Sequence, residues 1–276
     1  MTEAVRIMSV DQVRAFMDEH KPEDYALLDV RQPREYEASH LPGARLLPLP
    51  ELPDRLDEVP QDRPVIAYCA SGGRSMAAAS LLEGQGFDGV MNMIGGMSAW
   101  DGDRAFGPLD LGMDAFTGRE TPAQVVLAAF AMESQLQSFY VLRADLAETE
   151  ERIELFMELA GFEDRHKDML HTLYGKVTGE TPDYDVFEAM ALDGSSGLGE
   201  GGVDLSAFFE AHADAFDGDQ GVLHFAAMVE AQALDYYLRC AARAENDETR
   251  ATLELLAREE KAHLKVLGRH MDQYAE

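Results

Sequence analysis

Residues 65–75 read Val-Ile-Ala-Tyr-Cys-Ala-Ser-Gly-Gly-Arg-Ser (VIAYCASGGRS), and the reading of the first half of the chain turns on them. Val65 to Cys69 is a short apolar run, as a buried strand requires. Arg74 to Gln85 is rich in Ala and Leu and stops before Gly86, as a helix would. Between them lies a tight loop. A strand–loop–helix turn aims successive backbone N–H groups into one concavity, aided by the helix N-terminus. Gly72 and Gly73 let that loop curl at little steric cost. A thiol placed there has its thiolate stabilised, so its pKa is expected to fall. Cys69 is therefore the candidate nucleophile and Arg74 a fixed positive charge beside it. Ala70, Ser71, Gly72, Gly73 and Ser75 would form a cradle able to hold a persulfide anion.

Loop length narrows the chemistry. Four residues, Ala70 to Gly73, separate Cys69 from Arg74. Phosphate-cleaving cysteine enzymes use a loop one residue longer. The tighter ring suits a single sulfur atom better than a tetrahedral phosphate. Outward from the loop, Tyr25 to Val30 (YALLDV) and Gly89 to Ile94 (GVMNMI) read as further strands, the latter followed by Gly95-Gly96. The first 105 residues thus alternate strands with helices, the pattern of an α/β domain with a parallel sheet flanked by helices.

Residues 106–120 carry Gly and Pro without any period and are expected to be a linker. At Thr121 the texture changes. Thr121-Pro122-Ala123-Gln124 has the form of a capping box with Pro at the first helical position. Long helices are expected at 122–147, 149–175, 219–244 and 247–273. A crossover with Pro182 and the Gly/Ser cluster 194–202 separates the second from the third, with a short helix near Leu205 to Ala213.

The second half repeats itself. Glu133 and Glu230 stand 97 residues apart, as do Glu163 and Glu260, His166 and His263, Tyr140 and Tyr237, and Gln135 and Gln232. A duplicated helical hairpin is implied. Glu163-x-x-His166 and Glu260-x-x-His263 put each pair on one helix face about a turn apart. Glu133 and Glu230 stand alone in apolar helices, where a bare carboxylate costs several kcal/mol unless paired or bound to metal. Four such carboxylates would repel one another, and two divalent cations resolve the conflict. Carboxylate oxygens with one imidazole per metal suit iron, or alternatively manganese, better than zinc. One Glu from each of two helices with Glu-x-x-His from each of two others is the recurring ligand set of di-iron carboxylate bundles.

Residues 121–276 accordingly resemble the ferritin-like superfamily, and within it the rubrerythrin branch. The resemblance implies an all-α four-helix bundle in which Glu133, Glu163, His166, Glu230, Glu260 and His263 bind two iron ions, Glu163 and Glu260 bridging them. Tyr140 and Tyr237 match a tyrosine that the family sets beside these ligands. Two departures stand out. Ala233 occupies a position where rubrerythrins usually carry a further Glu. No paired Cys-x-x-Cys module is present, so neither a rubredoxin-type iron site nor a haem is expected, and electrons would come from an external donor such as a rubredoxin or a reductase. A homodimer is expected by the same analogy.

Residues 5–105 resemble the rhodanese family. The match rests on Leu28-Asp29-Val30-Arg31 with Glu35-Tyr36, on Ser39-His40-Leu41-Pro42-Gly43-Ala44, and on Asn92 to Trp100 (NMIGGMSAW), with Ser39 where Gly is common. The family implies a sulfurtransferase: Cys69 takes sulfane sulfur from thiosulfate or a persulfide and passes it to a thiol acceptor. Asp29 and Arg31 read as a scaffold ion pair.

Charge and composition exclude other classes. The 276 residues include 52 acidic and 23 basic side chains, a net charge of −29. So anionic a chain repels nucleic acid and anionic lipid. The first twenty residues lack an apolar core of the signal-peptide kind, and no uninterrupted apolar run approaches the ~18 residues of a membrane span. A cytoplasmic enzyme is expected, with sulfur transfer fused to peroxide or oxygen reduction. The alternative is a sulfur carrier or sensor joined to a non-catalytic iron-binding or dimerisation bundle. Cys240 reads as a small buried apolar side chain, and His224 as a solvated or capping residue.

Overall fold

The computed structural model describes residues 5–193, 199–211 and 218–274. The chain divides into two compact units, Met1–Leu109 and Asp110–Glu276.

The first unit is an α/β domain. Its strands are β1 (Arg6–Met8), β2 (Ala26–Asp29), β3 (Arg45–Leu46), β4 (Val65–Tyr68) and β5 (Val90–Met93). Helices α1 (Val10–Glu19), α2 (Pro33–Ala38), α3 (Gly73–Gly84) and α4 (Gly96–Ala99) connect them. The sheet runs β1-β5-β4-β2-β3 with every pair parallel. Both faces are covered, as parallel sheets demand. Alternation along the strands sends Ile66, Tyr68, Met91 and Met93 to one core, with Val13 of α1. Val65, Ala67, Cys69 and Val90 go to the other, where Ala78, Ala79 and Leu82 of α3 cover them. Ser9 and Gln12 form a capping box that starts α1. The short edge strands β1 and β3 carry too few residues to announce themselves by alternation. Asp29 and Arg31 form a buried pair, Arg31 Nη2 lying 2.6 Å from Asp29 Oδ2 and also donating to the Ser39 carbonyl at 2.7 Å.

The second unit is largely helical. Its long helices are α5 (Pro122–Leu146), α6 (Glu150–Thr178), α9 (Gly218–Arg243) and α10 (Asp247–Tyr274), with α7 (Tyr184–Asp193) and α8 (Leu205–Ala211) between the second and third. The helix α7 lies within the expected crossover, ahead of the short helix expected near Leu205; Phe187 and Ala191 bury its inner face. Of the expected Gly/Ser cluster, residues 194–198 lie outside the described residues, as do 212–217, where the short helix was expected to end. Thr121 caps α5 by accepting from Gln124 N at 3.3 Å, while Gln124 accepts from Thr121 N at 2.9 Å. The helices pack mainly as α5 on α6 and α9 on α10. Two apolar cores flank a polar belt. Phe130, Leu170, Leu234 and Leu256 belong to one core. Leu136, Leu159, Val229 and Leu267 belong to the other.

Residues 110–116, read from sequence as linker, are part of this unit. Met113 and Phe116 are buried in its core. Arg239 donates to the Leu111 carbonyl at 2.8 Å while pairing with Asp235 at 2.7 Å, which ties the segment to α9. Among the described residues, α5 is long and apolar enough to cross a membrane, but Val126, Phe130 and Leu136 on it are fully buried within the unit.

Candidate functional site

Cys69 sits at the C-terminal end of β4, at the mouth of a loop that leads into α3. Two glycines fix the loop by close approach. Gly72 adopts φ +101°, and a Cβ there would meet Ile94 Cα at 3.1 Å. Gly96 adopts φ +53°, and a Cβ there would lie 2.2 Å from the Cys69 carbonyl oxygen. That carbonyl accepts from Met97 N at 2.9 Å, and the Ala70 carbonyl accepts from Ser98 N at 2.9 Å. The Gly95-Gly96 turn after β5 thus holds the Cys69 loop from behind. Sequence reading placed that Gly pair without its role, which only the packing of β5 against β4 reveals.

Hydrogen-bond donors converge on the sulfur. Gly72 N lies 3.1 Å from Cys69 Sγ and Ser75 Oγ 3.5 Å. Burial alone would raise the Cys69 thiol; the Ser75 hydroxyl and the N–H groups of Ser75, Ser71 and Gly72 outweigh it and hold the thiol below its ordinary value. The four N–H and O–H donors make a cradle for a thiolate or for the terminal sulfur of a persulfide. Arg74 is oriented by Glu35, donating to both carboxylate oxygens at 2.7 and 2.8 Å. The hydrogen bond from Arg74 holds Glu35 down at about 2. Glu35 was read only as part of a pattern; the bidentate pair makes it the residue that aims Arg74. Gly73 and Ala70 contribute backbone to the same turn.

The second cluster lies in the polar belt of the helical unit. Glu133, Glu163, Glu230 and Glu260 are all buried, at 3%, 2%, 6% and 3% exposure. Each imidazole touches one lone Glu and the Glu of its own Glu-x-x-His pair. His166 Nδ1 is 3.5 Å from Glu133 Oε1 and 2.8 Å from Glu163 Oε2. His263 Nδ1 is 3.3 Å from Glu230 Oε2 and 3.0 Å from Glu260 Oε2. The two rings stack with centroids 3.7 Å apart. Ligand atoms of Glu133, Glu163 and His166 fall within 4.8 Å of one another, and so do those of His166, Glu230 and His263. Burial would lower His166 and His263, but hydrogen bonds and charge from the adjoining glutamates push them up to about 12 and about 11. Protons on the imidazoles thus balance the carboxylates where cations could. Burial raises Glu163, whereas Glu230, equally buried, is held at about 2 by its bond to His263.

Tyr140 and Tyr237 are buried, on the α5 and α9 faces that carry Glu133 and Glu230. Tyr140 lines a cavity of about 270 Å³ that reaches Glu163, His166, Glu230 and His263; Tyr237 lines a different one. Beside the first half-site, Lys167 is buried and donates to Gln137 Oε1 at 2.6 Å. The repeat places Leu234 and Leu264 at the equivalent positions, both buried. Cys240 is fully buried, and desolvation pushes its thiol up to about 12. His224 is exposed on α9.

Comparison with known proteins defines the first unit. The model of the rhodanese-like domain matches residues 9–103. A sulfurtransferase of Allochromatium vinosum is 44% identical over 78 residues, which cover 28% of this chain and 73% of that protein. The thiosulfate sulfurtransferase GlpE of Pseudoalteromonas translucida is 36% identical over 98 residues, covering 36% of this chain and 90% of that protein. Among solved structures, a rhodanese-like domain protein from Staphylococcus aureus is 31% identical and covers 35% of this chain and 91% of that one, with a TM-score of 0.33. The chain belongs to the rhodanese-like family through this N-terminal domain. Sulfurtransferase or sulfur-carrier chemistry is the function that membership gives it.

Proposed function

We propose that the chain joins a Cys69-persulfide sulfurtransferase to a di-iron redox domain of ferritin-like, rubrerythrin-type four-helix architecture. The observation that carries the second part is the set of four buried carboxylates and two partly buried imidazoles that α5, α6, α9 and α10 bring together.

In the first unit, the Cys69 thiolate attacks the sulfane sulfur of thiosulfate. The S–S bond of the donor breaks and sulfite departs with the electron pair. The new persulfide anion rests among the N–H groups of Ser71, Gly72 and Ser75. An acceptor thiolate then takes the terminal sulfur and returns Cys69 to its thiolate. Arg74 draws the anionic donor in, and Glu35 keeps its guanidinium aimed.

In the second unit the donor set fits two iron ions, because it is rich in carboxylate oxygen and supplies one imidazole to each half. Glu133, Glu163 and His166 would hold one, and Glu230, Glu260 and His263 the other. Bound iron would supply two electrons to peroxide or oxygen, refilled by an external donor such as a rubredoxin or a reductase. The protein's own part is to gather the four glutamates out of water, to set each imidazole against two of them and to keep the centre beneath an apolar cavity wall formed by Leu159, Phe162, Met169 and Leu267. Sulfide or peroxide detoxification in the cytoplasm, by a homodimer, is the physiological setting that joins the two activities.

Metal analysis of protein purified without added metal tests the second unit. Two irons per chain, lost in His166→Ala and His263→Ala, is the expected result; zinc, or no metal, would sink it. Intact mass after thiosulfate treatment tests the first, with a gain of about 32 Da that Cys69→Ser abolishes. One observation favours a second reading, a sulfur carrier with a non-catalytic iron-binding or dimerisation bundle: Ala233, at 0% exposure, stands where the resembled family usually has a further Glu. Iron-loaded protein that turns over no peroxide with any reductant would select that reading.

A further inference from the structure

A cavity of about 320 Å³ lies in the helical unit, walled by α5, α7, α9 and α10 and by residues 115–120. Its floor is formed by Met132, Tyr236, Tyr237 and Cys240, all buried, and Ala128 and Met190 stand exposed at its rim. Packed interiors leave few voids larger than a water molecule. An apolar space of only ~150 Å³ suffices to bind a benzene-sized molecule.

The repeat shows that this space is a departure from the unit's own pattern. Shifted by the 97-residue offset, Ala128 corresponds to Phe225, Tyr236 to Phe139, Tyr237 to Tyr140 and Leu253 to Phe156. All four counterparts belong to one apolar core. Phe225 is fully buried there, 5.2 Å from the Phe139 ring and 5.1 Å from that of Phe209. Arg143, the counterpart of Cys240, closes the far side by lying 4.1 Å over Phe209. Where one half of the duplication holds a phenylalanine ring, the other holds a methyl group, and the room remains.

We propose that this cavity is a binding site for a small, uncharged, largely aromatic molecule of roughly ten non-hydrogen atoms carrying one hydrogen-bonding head. The body replaces the missing Phe ring between Val125, Ala128, Ala129 and Met132. The head meets the Tyr236 hydroxyl and the Cys240 thiol, which interact with each other at the floor. Charge complementarity selects a neutral ligand over an acid. Glu120 lines the cavity, and despite its partial burial the N–H groups of Thr117 and Gly118 and the Thr117 hydroxyl keep it ionised. The site is separate from the proposed iron ligands, none of which lines it, so it stands whether or not metal is bound.

The test uses 1-naphthol and the full chain, titrated by calorimetry and by the shift in thermal unfolding. A molecule of this size is expected to bind once per chain with a Kd on the order of 0.1 mM. Ala128→Phe, which copies the residue of the other half, should weaken binding more than about tenfold and abolish the thermal shift. Ala128→Leu, a smaller filling, should weaken it less and keeps the test open if the phenylalanine variant fails to fold. Leu142→Ala, on the exposed surface of α5, should bind as the parent does. Naphthol that binds the two Ala128 variants as tightly as the parent, or that shows neither heat nor thermal shift with the parent, would overturn the proposal.

Discussion

Gly96→Ala and Gly73→Ala make the same chemical change about the Cys69 loop and should have opposite outcomes. At Gly96 the added Cβ would lie 2.2 Å from the Cys69 carbonyl oxygen and 2.6 Å from the Ala70 carbonyl carbon. The first approach is about 0.8 Å inside the 3.0 Å that real Cβ atoms respect, and what it strikes is backbone. The residue's φ of +53° adds about 1–2 kcal/mol for a non-glycine residue. Relieving the overlap by moving buried backbone costs about 1–3 kcal/mol more. The first unit should therefore lose about 2–5 kcal/mol of stability. A misplacement near 1 Å costs on the order of 10²-fold in rate. At Gly73 nothing lies within 4 Å of the added Cβ, so sulfur transfer should be unchanged. Trp100 is the chain's single tryptophan and lies in the core of the first unit, so its fluorescence during urea unfolding reports that unit alone. Thiosulfate turnover within twofold of the parent in Gly96→Ala, with an unmoved urea midpoint, would refute the account of how the loop is held.

Cys69 should react with iodoacetamide faster as pH rises through its lowered pKa, and Ser75→Ala, by removing the 3.5 Å hydroxyl contact, should move the midpoint of that profile upward and slow the reaction at pH 7. Cys240 stays silent across the same range because burial holds its thiol near 12. Asp235→Ala leaves the buried Arg239 without its carboxylate and should cost about 3–5 kcal/mol in urea unfolding followed by circular dichroism, whereas Asp235→Leu with Arg239→Met should recover most of it. Glu163→Ala should lower bound metal below one ion per chain without loss of helical signal; full occupancy in that variant would argue against a shared centre.

The parts of the chain legible in sequence were those where one residue type at one spacing has one physical reading. Val65 to Cys69 is a short apolar run that reads as a buried strand, and the structure places β4 inside the sheet. Thr121 and Gln124 announced the start of α5 because a reciprocal cap needs both. The 97-residue offset paired the polar residues of two hairpins before any coordinate did. What stayed hidden depends on distant contacts. Glu35 reaches Arg74 across 39 positions, and no local pattern signals it. The glycine at 96 looks like any turn glycine until β5 carries it against Cys69. Met113 and Phe116 sit in a stretch with no period, and their burial depends on distant residues such as Arg239 of α9, which holds the neighbouring Leu111 carbonyl.

The unequal surroundings of the two half-sites carry a consequence for spectroscopy. Next to one ligand set stand the buried Lys167 ammonium and the partly buried Gln137 amide, and at the equivalent positions of the other stand the hydrocarbon side chains of Leu234 and Leu264. Ions held by these two otherwise matched ligand sets would feel different local fields. A Mössbauer spectrum of the iron-loaded protein should resolve two quadrupole doublets of equal area, and Lys167→Leu with Gln137→Leu should draw them together.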